Sequence, residues 1–179
     1  ATPRLDEQGK RVRTLLTTYR RAGGADAALL IHSQGAGLNL INELGRAART
    51  QANVRGVPAR VLPLDVWHTA STGIDLWLSA IALGASDLWV LVTDEEAPEY
   101  RVALGEQMAV AQAVLNGLGY AGTHLRLIEA KDARDLAALD AALQAPPAQT
   151  VAKAATLSPQ ADKRATLDLA MYHLLAHAP

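Results

Sequence analysis

The chain has 179 residues, a formal net charge of -1 and a hydrophobic content of 50%. That is enough for one domain with a proper core and too apolar for a disordered chain. The balanced charge gives no support for nucleic-acid binding, and no apolar run reaches membrane-spanning length. Cysteine is absent, which excludes disulfides and any Cys-ligated zinc or iron–sulfur site within these residues.

The first residues, Ala1-Thr2-Pro3-Arg4-Leu5-Asp6-Glu7, carry no apolar h-region of the kind a secretory signal needs. They read as a cut inside a longer protein or a trimmed end, and a cytoplasmic location is the expectation. With no Phe, the core must be filled by Leu, Val, Ile, Ala and three Trp.

Taken in order, Glu7 to Arg21 sets Val12, Leu15, Leu16 and Tyr19 at helical spacing, and Gly23-Gly24 ends that helix. Ala27 to Ile31 is a short apolar run, the first strand. Ser33-Gln34-Gly35-Ala36-Gly37 is a turn, and Leu38 to Thr50 a second helix. Arg60 to Leu64 is the next strand. Its Pro63 cannot donate to a ladder, so the strand should lie at an edge or end early.

Ser71 to Leu83 reads as a helix that is apolar nearly all round, which must be buried on more than one side. Asp87 to Val92 is a β-rich run of the kind covered on both faces, the expected central strand. Pro98 suits the first turn of the next helix, whose inner stripe is Leu104, Met108, Ala111, Leu115 and Leu118. His124 to Ile128 is a fourth strand, and Asp132 to Gln144 a helix capped by Asp132. Ala145 to Thr150, with Pro146-Pro147, starts an extended link, and Ser158-Pro159 starts a last helix running to His177.

Strands alternating with helices imply right-handed βαβ crossovers. The expectation is a single α/β domain over residues 1–179. It is a three-layer sandwich with a mostly parallel sheet of about four strands in flavodoxin-like order. An extra C-terminal link and helix occupy about 146–179.

In such sheets ligands bind at the carboxyl ends of the strands. The residues that fall there are His32, Ser33, Gly35, Gly37, Asn39, Asp65, His68, Thr93, Asp94, Glu95 and Glu96. Glycines between strand and helix let backbone N–H groups approach an anion. The run lacks the Lys-Ser/Thr of a P-loop and the third Gly of a dinucleotide fingerprint, so a tight turn is the plainer interpretation. His with carboxylates could bind a metal or move protons, but no metal-ligand spacing is present, and an acidic loop at a helix start also complements the macrodipole. Ser33 with His68 and Asp94 would make a catalytic trio in composition only, since no Gly-x-Ser-x-Gly elbow supports it.

Several stretches resemble a domain of large bacterial 4Fe–4S ferredoxin-type proteins, of the kind found toward the C-terminus. They are Arg11-Val12-Arg13-Thr14-Leu15-Leu16 through Arg20-Arg21-Ala22-Gly23-Gly24, Gly56 to Leu64, Thr93 to Pro98, and Asp162-Lys163-Arg164-Ala165-Thr166-Leu167. More distantly, residues 27 to 129 are similar to the delta subunit of methyl-viologen-reducing hydrogenase, a family that holds an iron–sulfur cluster on strand-end cysteines. This chain has His32 and Gly35, then Asp94 and about Glu99, where that family has thiolates, so the cluster is not carried over.

The resemblance implies a non-catalytic structural or partner-docking domain of an electron-transfer protein. It would carry no cofactor itself, and 4Fe–4S clusters are expected in other domains of the parent. Those domains are the expected partners. No nucleic acid and no membrane span are expected. A second copy of the chain, the last helix or the rest of the parent would cover the far side of Ser71 to Leu83. The alternative is a ligand- or metal-binding domain, with or without enzymatic activity, that uses the strand-end crevice.

Overall fold

The computed structural model describes residues 5–157 and 162–179. The strands are β1 (Ala28–Ser33), β2 (Val61–Val66), β3 (Asp87–Val92) and β4 (Leu125–Glu129). The helices are α1 (Leu5–Arg21), α2 (Ala36–Thr50), α3 (Ile74–Ala82), α4 (Pro98–Gly117), α5 (Leu136–Leu143) and α6 (Lys163–Ala176). All strand pairings are parallel, in the order β2-β1-β3-β4, with Ala28 opposite both Val61 and Asp87, and Leu88 opposite Leu125. This is the expected flavodoxin-like three-layer arrangement. β2 lies at an edge, as its Pro63 requires. Among the described residues, no helix is long and apolar enough to cross a membrane.

Side-chain alternation along the strands divides the core in two. Leu29, Ile31, Leu88, Val90 and Val92 face α1, α3, α4 and α6. Ala28, Leu30, Trp89 and Leu91 face Leu40, Ile41 and Leu44 of α2 and Leu139 and Leu143 of α5. Helix α3 is buried on all sides because α6 packs over it. Trp77 is 0% exposed, and its indole N–H donates to Thr72 Oγ1 at 3.2 Å. Tyr120 holds the covering helix from below, its hydroxyl donating to the Leu174 carbonyl at 2.7 Å. The last helix thus packs over α3, with Trp77 buried within the chain itself.

Several element ends differ from expectation. β1 runs two residues further, through His32 and Ser33, because Ser33 still pairs with Val66 of β2. Helix α2 correspondingly opens at Ala36, which leaves only Gln34-Gly35 as the turn. β2 does not stop at Leu64 but continues through Asp65 and Val66. Ser71 to Gly73 does not join α3. Local side-chain bonds compete with the helix there: the Ser71 hydroxyl donates to the His68 carbonyl at 2.6 Å and the Thr72 hydroxyl to the Thr69 carbonyl at 2.8 Å. Asp132 caps a short 3-10 turn, Ala133–Asp135, rather than α5 directly. The expected start of the last helix at Ser158-Pro159 lies outside the described residues.

The link after α5 is packed, not free. Ala148, Val151 and Ala155 are buried, and the Ala155 amide donates to the Ala82 carbonyl at 2.8 Å. At the amino end of β3, Arg60 ties several segments together. Its guanidinium donates to Asp87 Oδ2 at 2.6 Å, to the Asp26 carbonyl at 2.9 Å and to the Ala145 carbonyl at 2.7 Å.

Candidate functional site

The chain leaves β1 toward β2 on one side and leaves β3 toward β4 on the other, so the crevice of this topology opens between the carboxyl ends of β1 and β3. On one wall stands the turn from β1 into α2. On the other stands the loop Thr93 to Glu96. Most of the site residues anticipated from sequence fall here into three groups.

The first group joins the two walls. Glu95 Oε2 accepts from the Ala36 amide at 2.9 Å, so a carboxylate of the chain itself sits at the N-terminus of α2. The amide next along, Gly37 N–H, donates to Ser33 Oγ at 3.0 Å. Gly35 is required by this approach: a Cβ there would lie 2.8 Å from Glu95 Oε2. An anion at a helix start is stabilised by the unpaired amides and the dipole, and here that anion is supplied internally.

The second group lies beneath it. Glu96 is 2% exposed, and its carboxylate accepts from the Thr93 amide at 2.7 Å, the Thr93 hydroxyl at 3.1 Å and the Thr69 hydroxyl at 3.1 Å. This residue braces the β3 loop against the turn after β2.

The third group lies at the ends of β1 and β2. Asp65 accepts from Arg11 of α1 at 2.8 Å and from Gln34 at 3.0 Å. Burial by itself raises the Asp65 carboxyl, but the Gln34 hydrogen bond and the Arg11 guanidinium outweigh it and hold the group below its ordinary 3.8. His32, 2% exposed, is kept below the usual 6.5 by burial, against the opposing pull of the Ser33 carbonyl and Asp65. Its Nδ1 lies 2.8 Å from the Ser33 carbonyl. A neutral ring donates there and keeps its lone pair on Nε2.

The remaining residues stand apart. Asn39 is exposed on α2, and Asp94 is exposed beside β4, where its amide reaches the Lys131 carbonyl at 3.4 Å. His68 Nδ1 accepts from the Ala70 amide at 3.1 Å, and its ring meets Tyr100 edge-on at 5.6 Å between centroids. No hydrogen bond joins Ser33, His68 and Asp94 among the described residues. Nor do three His, Asp or Glu side chains among those residues gather closely enough to hold a metal ion. An iron–sulfur cluster does not fit this crevice, because the chain has no thiolate to hold one.

Sequence reasoning missed Arg11, 54 residues from its partner Asp65, and Thr69, 27 residues from Glu96. No local pattern marks either. Of the tryptophans expected to fill the core, Trp67 instead is 63% exposed; it precedes His68, whose ring meets Tyr100, itself 49% exposed and not anticipated from sequence. The chain is therefore a parallel α/β domain in whose switch-point crevice an exposed carboxylate of its own takes one amide at the start of α2. No protein-family model matches it, and no curated protein matches it.

Proposed function

We propose that this chain is a non-catalytic docking domain of a 4Fe–4S ferredoxin-type electron-transfer protein of the cytoplasm, and that the carboxyl edge of its sheet seats against the cluster-carrying part of the parent. The observation that carries this reading is the 2.9 Å contact between Glu95 and the Ala36 amide. At the position where an α/β domain of this topology would hold a phosphate or carboxylate ligand, a carboxylate of the chain already takes the Ala36 amide. A ligand-binding or enzymatic role for the crevice would first have to displace that carboxylate.

What faces outward instead is Trp67 and Tyr100, with Asp94 and Glu99 exposed nearby in sequence. Exposed aromatic anchors ringed by polar groups are characteristic of protein interfaces. The four stretches that resemble the ferredoxin-type proteins supply the parent class, and the absence of cysteine is consistent with clusters lying elsewhere in it.

The test is a titration of isotope-labelled domain with the cluster-loaded remainder of the parent chain, followed by NMR. Shifts confined to Trp67, His68, Tyr100 and the Thr93–Glu96 loop, abolished by Trp67→Glu, are expected. A reading frame without Cys-x-x-Cys-x-x-Cys runs around this segment, or a titration that moves none of these resonances, overturns the proposal.

A further inference from the structure

Where α3 and α6 pack together, the cavity at the start of α3 has a volume of about 530 Å³. It lies where α3, α4 and α6 meet. One carboxylate on its lining is unusual. Asp75 is 6% exposed, and its Oδ2 has no hydrogen-bond donor. Burial raises its carboxyl above the ordinary 3.8, although the first amides of α3 and the charge of Lys163 pull the other way. A buried carboxylate oxygen with no partner destabilises the fold, and a charged group retained in a cavity at such a cost is a site candidate.

The surroundings are built to match. Gly73 keeps the approach open: a Cβ there would lie 3.1 Å from Gln107 Oε1 and 3.3 Å from Asp75 Oδ1, so two acceptor oxygens converge on one gap. Gln107 is held in that orientation by the Ile74 amide, which donates to its Oε1 at 3.2 Å. Across the cavity, α6 presents Lys163 and Arg164. Both are exposed, and neither forms an ion pair among the described residues. Asp168 is the remaining charged group on the lining, and Ile74 and Leu167 supply apolar wall.

A cation alone would meet Lys163 and Arg164, and an anion alone would meet Asp75. A molecule with both charges meets complementary groups at each end. We infer that this cavity binds a small zwitterion of the free amino-acid class, its ammonium on Asp75 and the Gln107 oxygen and its carboxylate on Lys163 and Arg164. The volume lies within the ordinary range for small-molecule sites, roughly 300–1,000 Å³. Ile74 and Leu167 favour an aliphatic side chain.

Isothermal titration calorimetry tests this on the whole chain. The probes are free L-α-amino acids, ω-amino acids of increasing length, and n-butylamine and butyrate as the two half-ligands. At least one zwitterion is expected to bind, with each half-ligand roughly tenfold or more weaker. Asp75→Asn, nearly isosteric, and Lys163→Met, at an exposed position that does not threaten the fold, should each weaken binding by roughly tenfold or more. Circular dichroism checks that both remain folded. Binding that either variant leaves unchanged, butylamine binding as tightly as any zwitterion, or no zwitterion binding at all overturns the inference. Because Trp67 and Tyr100 do not line this cavity, failure here leaves the docking proposal standing, and the reverse holds too.

Discussion

Arg60→Met removes the cation that holds the most deeply buried ion pair among the described residues. Asp87 begins the central strand, with its side chain 0% exposed, and that of Arg60 is 17% exposed. The two are 2.6 Å apart. Removing the guanidinium leaves Asp87 with the Ser86 hydroxyl at 2.7 Å and the Ala148 amide at a long 3.4 Å, and no positive charge. It also frees the carbonyls of Asp26 and Ala145 and uncovers the face of Trp89, whose ring centroid lies 5.3 Å from the Arg60 guanidinium carbon. Breaking a buried pair from one side costs about 3–5 kcal/mol, because an uncompensated charge stays behind. At about 2–4 °C per kcal/mol for a chain of this length, that lowers Tm by about 6–20 °C.

The assay is urea unfolding of wild type, Arg60→Met, Asp87→Asn and the double variant. The double variant should be more stable than additivity predicts, since neutralising Asp87 removes the stranded charge. Arg11→Met supplies the comparison. Its pair with Asp65 has side chains 40% and 46% exposed, and such pairs contribute only about 0–1 kcal/mol after solvent screening. If Arg60→Met costs no more than Arg11→Met, the view of Asp87 as a buried charge held by one cation is wrong.

Glu95→Ala should open the crevice. It frees the Ala36 amide, at a stability cost of about 0.5–2 kcal/mol for a lost helix cap, and creates a site that accepts sulfate. Tm should then rise with sulfate more steeply in the variant than in wild type, and equal slopes would show that the carboxylate is not occupying an anion site. His32 sets a pH dependence. Its folded-state pKa lies below 6.5, so the unfolded chain takes up the proton first; the associated stability is full above pH 6.5 and is lost as pH falls from there through the folded value. An NMR titration in which the His32 ring protonates at or above 6.5 contradicts the burial assigned to it.

The apolar runs at Ala27 to Ile31 and Asp87 to Val92, set between helices, were legible in the chain, and with them the parallel sheet; which side chains face which layer was not. So was the need for a cover over α3, because the apolar periodicity of a helix is a local property. The edge position of β2 was legible from Pro63. What the residues could not disclose was the state of the crevice. The sequence places Glu95 at the end of one strand and Ala36 after another, 59 residues apart. Whether that carboxylate faces water, a ligand or the helix depends on the crossing of two loops.

The same is true of Asp75. In sequence it is one acid in the first turn of an apolar helix, an ordinary partner for the helix dipole. It becomes a buried oxygen without a donor only when α6, about 90 residues later, packs over α3. Hydrophobic period is written into neighbouring residues, so the elements and their buried faces follow from the chain alone. Burial of a charge, and the pairing or isolation that decides its chemistry, arise from contacts between residues far apart in sequence, and only the tertiary structure settles them.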